Sequence, residues 1–260
     1  MTTTSSGVLR VAEYRYATYK RLWQGSFVST VINPILFLLA FGVGLGSLVD
    51  ERTAESLEGV AYLSFVAPAM LATSAMFTGV NESSYAVLGG VKWVPTTHAQ
   101  VATPITPAQA CLGHLLWMVA RVAMSVVAFF AVIVVAGATE SWWVIAAVPV
   151  AVLTGTAFAA CLQAWSVGRT TDTSFPNISR FVILPMFLFS GAFFPSEQLP
   201  DGVEWVKVLT PIWHGVELCR SLSLGTATLP GAALHLAVLA AFALVGAALG
   251  VHEYRKRLST

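Results

Sequence analysis

The chain is 260 residues long, and 56% of its residues are hydrophobic while only 10% are charged. Soluble globular domains carry about 25% charged residues, so this composition excludes an ordinary soluble domain. The formal net charge is only +1, and we expect no nucleic-acid partner for a chain without an excess of basic residues.

Six apolar segments are each about long enough to cross a bilayer. A helix rises about 1.5 Å per residue, so roughly 20 mainly apolar residues cross ~30 Å of hydrocarbon. The predicted spans are residues 27–49, 59–80, 112–136, 142–166, 177–195 and 231–252, of which the fifth is the shortest. We therefore predict an all-α integral membrane protein with one domain of six transmembrane helices over residues 26–257.

The basic residues between these spans fall mainly on one side. With a cytoplasmic N terminus, only Arg52, Lys207 and Arg220 of the 14 Lys and Arg residues lie outside, and the other 11 lie inside. Most acidic residues fall outside. Because cytoplasmic loops are enriched in Lys and Arg, we predict that both termini are cytoplasmic in a multi-pass protein of the bacterial cell membrane.

Residues 1–25 precede the first span, and residues 8–24 have the periodicity of an amphipathic helix. One face carries Val8, Val11, Ala12, Tyr16, Tyr19, Leu22 and Trp23, and the other carries Arg10, Glu13, Lys20, Arg21 and Gln24. This pattern favours a helix lying in the headgroup plane over a solvated leader. Arg15 falls within the apolar face, so it must snorkel or find a partner.

The segment 81–109 after the second span is too long and too apolar for a plain linker. Gly89-Gly90 and three prolines divide it into short helical pieces, and Thr103 or Thr106 can cap the next helix. Its large apolar side chains Tyr85, Trp93 and Val94 favour a surface that docks a soluble partner.

The segment 196–224 after the fifth span is too apolar for a solvated loop and too short to span. Its apolar residues are Val203, Trp205, Val206, Val208, Leu209, Ile212 and Trp213, with Pro211 interrupting the run. We predict a pair of re-entrant or interfacial outer helices between the fifth and sixth spans. Glu217 and Arg220 are three residues apart, a spacing that pairs them on one helix face.

Few charged residues lie within the spans. Arg121 in the third span and Glu82 at the end of the second could form an ion pair at the mouth of a transport route. Alternatively, Arg121 snorkels to headgroups and Glu82 only begins a loop; the sequence does not separate these two interpretations. His214 and His235 lack a carboxylate or thiol at metal-ligand spacing, so we expect no metal.

The segment 183–225 resembles the signature of the type-two ATP-binding-cassette (ABC) exporter permeases. The matching residues are Pro185, Phe187, Ser190, Gly191, Phe193, Phe194, Pro195, Leu199, Pro200, Thr210, Pro211, His214, Arg220, Leu224 and Gly225. Ala102, Thr103, Pro104 and Gly113 resemble the subgroup of daunorubicin-resistance and lipooligosaccharide (nodulation-type) exporters.

This resemblance implies a permease subunit without enzymatic activity, paired with a second copy or a related permease. Two ATPase subunits would bind ATP and Mg, and this chain itself would hold no cofactor. The ATPase-coupling residues carried over are Glu82, Tyr85, Lys92, Trp93, Val94, His98, Thr103 and Pro104. The interfacial helix contributes Arg15, Tyr16, Tyr19, Arg21 and Trp23, and the outer gate contributes Phe193, Phe194, Pro195, Trp205, Pro211, Trp213, Glu217 and Arg220.

One departure from the family concerns the charge of the docking segment. Only Lys92 is basic between Tyr85 and Thr103, where relatives often carry several basic residues. We therefore expect weaker electrostatic docking and a larger apolar contribution from Trp93 and its neighbours.

The expected function is ATP-driven export of an amphipathic substrate, such as a lipid-linked saccharide, a glycolipid or a hydrophobic drug. An ion-coupled secondary transporter and a membrane scaffold subunit without transport activity are the alternatives. The first usually needs a carboxylate in mid-span, and none is present. A channel would need filter loops or rings of charge, which the sequence also lacks.

Overall fold

The structure, a computed structural model, describes residues 4–38, 40, 62–193 and 208–258, and regular secondary structure within these ranges is helical throughout. The first helix, α1, covers Thr4–Leu38. The later helices are α2 (Tyr62–Ser83), α3 (Tyr85–Leu88), a π-helical turn (Gly89–Trp93), α4 (Thr96–Val101), α5 (Pro107–Val135), α6 (Val144–Val167), α7 (Ser174–Leu188), α8 (Pro211–Leu224) and α9 (Leu229–Leu258).

Four helical stretches are long and apolar enough to cross a membrane. They are Tyr62–Trp93 with 32 residues, α5 with 29, α6 with 24 and α9 with 30. They coincide with the predicted second, third, fourth and sixth spans. The prediction of an all-helical membrane protein is thus confirmed, and four of its six predicted spans are found as long apolar helices.

The other two predicted spans have a different outcome. The first, 27–49, begins inside α1, and its residues from 41 onward lie outside the described ranges. The fifth, 177–195, overlaps α7, which consists of three consecutive five-residue segments with a π-helical turn at Ser179–Ile183. At about 1.5 Å per residue α7 is roughly 22 Å long, shorter than a ~30 Å hydrocarbon core. The count of six spans therefore stays a prediction.

Helix α1 continues without interruption through the boundary predicted at residue 25. The amphipathic segment is helical, as its periodicity indicates, but it forms the first half of a longer helix. Gly25 does not end the helix, because an isolated glycine in a helical pattern is tolerated.

The start of α5 is set by the residues that the sequence indicates. Thr106 is the N-cap, its side chain accepts a hydrogen bond from the Gln109 amide, and the Gln109 side chain accepts one from the Thr106 amide. Pro107 occupies the first helical position, where its missing N–H has no helical acceptor. This capping box fixes the start of α5 and therefore the end of the 84–106 segment.

Helix α2 lies at the centre of the bundle and packs against α5, α6 and α8. Its approach to α6 is so close that a Cβ added to Gly155 would lie 2.6 Å from the carbonyl oxygen of Ala75. A Cβ added to Gly246 of α9 would likewise lie 2.6 Å from the Cys161 amide nitrogen of α6. Glycines permit such backbone contact between helices in membrane proteins.

The bundle has two distinct ends. We call the end at Ser83, where α2 meets the 84–106 segment, the loop end. The opposite end, where α2 begins at Tyr62, is the far end. Candidate functional residues cluster at both.

Candidate functional site

The segment 84–106, the 84–106 loop, has one buried and one exposed face. Val87 and Val91 are buried in a cluster that includes Tyr254 of α9, and Leu88 is buried as well. Large apolar side chains lie on the other face, where Tyr85 is 45%, Trp93 is 54% and Val94 is 65% exposed. The loop is therefore anchored on the bundle while it presents an apolar surface. His98, Thr103 and Pro104 are also exposed.

An aromatic cluster joins this loop to the beginning of α7. It consists of Tyr85, Trp93, Trp165 and Phe175. The Tyr85 ring stacks near Trp93 with a centroid distance of 6.5 Å and lies 4.9 Å from Phe175. Phe175 meets Trp165 edge to face at 5.5 Å. The Lys92 ammonium group also donates a hydrogen bond to the Thr170 carbonyl oxygen.

Sequence reasoning missed Trp165 and Phe175. A signal was present, because both aromatics flank the short polar turn between two apolar segments. Periodicity describes one helix at a time, however, and it does not show which loop a turn will contact.

Helix α1 packs along the beginning of α5, and the two helices run in the same direction. A Cβ added to Gly113 would lie 2.6 Å from the Val11 Cβ, and the Tyr19 ring lies 5.5 Å from Trp117. Tyr16 is 57% exposed and Arg21 is exposed. The side chain of Trp23 lies outside the described residues. The predicted interfacial face of α1 thus contains residues that contact α5.

Glu82 and Arg121 form an ion pair with Nε and Oε1 2.9 Å apart. The structure thus favours the ion pair, which the sequence left open, over separate solvation. The Arg121 guanidinium also lies 4.4 Å from the centroid of the Tyr19 ring, a cation–π contact. The pair connects α2 with α5, and Tyr19 adds α1 to it.

Arg15 finds its partner in a buried polar network at the loop end. Its Nη2 lies 3.4 Å from Nδ1 of His114, and the Tyr254 hydroxyl lies 3.3 Å from the same nitrogen. Because arginine only donates, Nδ1 is the acceptor and the His114 proton resides on Nε2. Gln163 Nε2 donates to the Tyr254 oxygen and to the Cys111 carbonyl. The network connects α1, α5, α6 and α9.

Two clefts lie between α1 and the 84–106 loop, and residues of both elements line each cleft. One, of about 290 Å³, is lined by Tyr14, Arg15, Thr18, Gly89, Gly90, Trp93, Val94 and Thr96. The other, of about 250 Å³, is lined by Arg10, Val11, Tyr14, Thr96, Ala99, Gln100, Thr103 and Ile105. Helix α1 and the loop therefore present one joined surface, with Tyr14 at the boundary of both clefts.

At the far end, Arg220 of α8 connects three elements. Its Nη2 donates a 2.5 Å hydrogen bond to the carbonyl of Gly191, in the turn after α7. Its Nε donates to the Phe65 carbonyl of α2 at 3.4 Å, and the guanidinium lies 3.8 Å from the Phe65 ring centroid. Nη1 lies 3.5 Å from Glu217, so the predicted pair is confirmed.

Aromatic contacts continue from these far-end contacts along α2 toward the loop end. Phe187 lies 5.1 Å from Phe77 and 5.1 Å from Phe193, ring centroid to centroid. The Tyr62 hydroxyl donates to the Phe193 carbonyl at 3.4 Å. Pro211 is buried at the first position of α8. Phe194, Pro195 and Trp205 lie outside the described residues.

A histidine pair lies beside these far-end contacts. His214 Nε2 donates to the Val208 carbonyl at 2.8 Å, so its Nδ1 accepts the proton of His235 Nδ1, also at 2.8 Å. Burial lowers the pKa of His214, while the Val208 hydrogen bond acts in the opposite direction. Trp213 packs edge to face on both rings. Within the described ranges, no group of three or more His, Cys, Asp or Glu could hold a metal ion.

Long apolar helices, an anchored apolar loop at one end and a tethered closure at the other are consistent with a membrane permease. The family described as ABC-2 type transporter matches residues 9–224. The chain belongs to this family, which confirms the resemblance seen in its sequence.

Individual relatives match over most of their length. Nodulation protein J of Rhizobium meliloti (strain 1021) is 30% identical over 243 residues, 94% of this chain and 90% of the relative. Nodulation protein J of Rhizobium leguminosarum bv. viciae is 29% identical, covering 96% and 94%. The daunorubicin resistance ABC transporter permease protein DrrB1 of Streptomyces coeruleorubidus is 24% identical, covering 93% and 87%.

These comparisons establish a bacterial multi-pass membrane protein that is the membrane subunit of an ABC exporter. Family membership implies association with an ATP-binding-cassette ATPase.

Proposed function

We propose that this permease exports an amphipathic substrate outward across the cell membrane, driven by two separate ATPase subunits that dock on the joined surface of α1 and the 84–106 loop. The main support for this docking site is the exposure of Tyr85, Trp93 and Val94 on a loop whose other face is buried. Exposed apolar side chains on an ordered segment favour a docked partner. ATP and Mg would be bound by the ATPases.

In this proposal the loop end is cytoplasmic and the far end faces outward, with both termini inside and six spans in total. The last turn of α9 carries Arg255, Lys256 and Arg257, in agreement with a cytoplasmic C terminus. Trp142 and Trp143 are exposed between α5 and α6 at the opposite end, where an aromatic belt meets the headgroups.

The transport route would form between two permease subunits, identical or related, each a half-channel. ATP binding moves the loop only if the ATPase contacts differ between two conformations, because a partner that favours neither shifts nothing. The far-end closure would then open for the substrate, with the outer-gate residues around Arg220 and Trp213 separating.

The substrate class is proposed as a lipid-linked saccharide, a glycolipid or a hydrophobic drug. The aromatic rings of Phe77, Phe187 and Phe193 support an amphipathic cargo over a small ion. The name of one relative, a daunorubicin resistance permease, supports the hydrophobic drug in this list.

The docking surface is tested with Trp93→Ala in the permease–ATPase complex. Truncating an aromatic anchor at the centre of an interface typically weakens binding by about 2 kcal/mol, or roughly 30-fold. We expect that loss in the affinity of purified permease in nanodiscs for its ATPase, measured by biolayer interferometry. Trp142→Ala is the matched control, because Trp142 is 70% exposed but lies between α5 and α6.

An unchanged affinity for Trp93→Ala would contradict docking at this surface. The ATP-driven mechanism has a separate test in proteoliposomes. Uphill substrate movement driven by a proton or sodium gradient, with no ATPase present, would instead support the secondary transporter.

A further inference from the structure

We propose that the aromatic cluster transmits movement of the 84–106 loop to α7, with Phe175 as the positioning residue between them. The inference rests on the proposed function, because it requires an ATPase that moves the loop. It adds a specific mechanical link: Phe175 determines whether α7 follows the loop.

The first support is the contact at the beginning of α7. Phe175 is the second residue of that helix and only 2% exposed, so its ring is enclosed. Tyr85 of the loop and Trp165 of α6 meet it at tilted and perpendicular angles, geometries in which aromatic pairs attract one another beyond simple burial. A displacement of Tyr85 therefore pushes on Phe175 directly.

A polar contact couples the same two segments a few residues away. Lys92 of the π-helical turn donates to the Thr170 carbonyl in the turn that precedes α7. The Arg169 guanidinium next to it lies 4.8 Å from the Trp165 ring centroid. The loop thus holds the chain before α7 as well as its first turn.

The second support is the loose packing of the rest of α7. Phe181 is 76% exposed, Val182 is 46% and Leu184 is 45%. Ile183 is buried, but Leu184–Leu188 contains no buried residue. A helix with so little buried surface between its ends can be displaced without disrupting a core. A π-helical turn, a feature frequent at functional sites, occurs in α7 and in the loop.

The third support is that α7 leads into the far-end closure. Phe187, near its last residue, contacts Phe77 and Phe193, and the following turn offers the Gly191 carbonyl to Arg220. Among the described helices, α7 thus has contacts with the candidate docking loop at one end and with the candidate outer gate at the other. Displacing α7 would strain the hydrogen bonds that hold the far end closed.

The test measures distances within one permease in the complete complex. One spin-label pair, Leu184→Cys with Leu249→Cys, reports α7 against α9, and a second, Ala102→Cys with Leu249→Cys, reports the loop against α9. Leu184 and Leu249 are exposed, as is Ala102. The partly exposed Cys161 is replaced by alanine so that it does not take up the label. Cys111 and Cys219 are kept, because both are buried. Labelled permease is diluted with unlabelled permease, reconstituted with its ATPase and compared with and without vanadate-trapped nucleotide.

Without the Phe175 substitution, both pairs should change distance on nucleotide trapping. With Phe175→Ala, the loop pair should keep its change while the population shift of the α7 pair falls by about fivefold, in the range found for residues that carry coupling. The rate of ATP hydrolysis should stay the same in Phe175→Ala, whereas a defect in folding or in docking would lower it. Phe181→Ala is the matched control, since it removes the same side chain from an exposed position of α7.

Two results would overturn the link. An undiminished α7 change in Phe175→Ala would show that α7 moves by another route. Loss of both changes would show that Phe175 supports docking or folding. If no loop change occurred even without the Phe175 substitution, the proposed function would fail as well. Phe175→Leu, which keeps most of the buried volume without the ring, is measured beside the alanine variant and should show the same selective loss.

Discussion

At the loop end, side chains of α1, α2, α5, α6 and α9 contact one another directly, through Glu82–Arg121 and through the network around His114. At the far end, Arg220 donates to main-chain carbonyls of α2 and of the turn after α7, and the Tyr62 hydroxyl adds one hydrogen bond to the Phe193 carbonyl. Many distributed contacts keep a region rigid when one of them is lost. A contact region that depends on few side chains can separate when one of them moves. The comparison therefore predicts a stable loop end and a far end with few points of attachment.

The largest effect is expected for Arg220→Ala. The change leaves the Gly191 and Phe65 carbonyls without this donor and removes the charge partner of Glu217. Arg220 is buried, and each buried carbonyl left without its donor costs about 1–3 kcal/mol, so the loss of both hydrogen bonds should destabilise the protein by about 3 kcal/mol. We expect a marked fall in thermal stability in detergent, measured by fluorescence-detected size exclusion. Arg220→Lys is the informative companion, because it keeps the charge but loses the planar fork. Equal stability of the unmodified permease, Arg220→Ala and Arg220→Lys would contradict the importance of Arg220 for the far end.

A smaller effect is expected at the loop end from the Glu82–Arg121 pair. A double-mutant cycle with Glu82→Gln and Arg121→Gln should give a coupling energy of about 2 kcal/mol, since contacting residues in one network are not additive. The arginine side chain is only 10% exposed and the glutamate 23%, so solvent screens the pair weakly. The measurement is chemical denaturation in detergent. Additive effects of the two changes would mean that the pair contributes nothing beyond its separate residues.

The smallest effect is expected for Tyr254→Phe, which removes one hydroxyl from the polar network. His114 keeps Arg15 and Gln163 keeps the Cys111 carbonyl, so the remaining groups retain partners. A single hydrogen bond typically contributes about 1 kcal/mol. Tyr16→Phe is the control, because Tyr16 is 57% exposed. If Tyr254→Phe were as damaging as Arg220→Ala, the loop end would depend on single contacts as strongly as the far end does.

Several parts of the fold follow from local patterns. The apolar segments around residues 59–80, 112–136, 142–166 and 231–252 are long helices, because their length and composition alone exclude soluble alternatives. The cap at Thr106 and the Glu217–Arg220 pair are confirmed, since both depend on spacing within one helix. The assignment of roles to these residues stays a prediction.

The parts that sequence reasoning missed depend on distant segments. Phe175 and Tyr85 are 90 positions apart, and Tyr254 reaches His114 across 140 positions. The apolar face of α1 predicted a helix that lies on the membrane surface. An apolar face can equally well pack against a neighbouring helix, and Tyr19 of this face contacts Trp117 of α5. The sequence shows that Arg15 requires a partner, and only the fold supplies His114.

The glycine crossings described above have a consequence for any transport cycle. Where Gly155 faces Ala75 and Gly246 faces Cys161, no layer of side chains lies between the helices to slide or repack. Helices α2, α6 and α9 should then stay together as one rigid block, relative to which the remaining helices move. An inhibitor that binds between these three helices would have to separate their main chains. Inhibitors of this permease should therefore bind on the outer surface of the block.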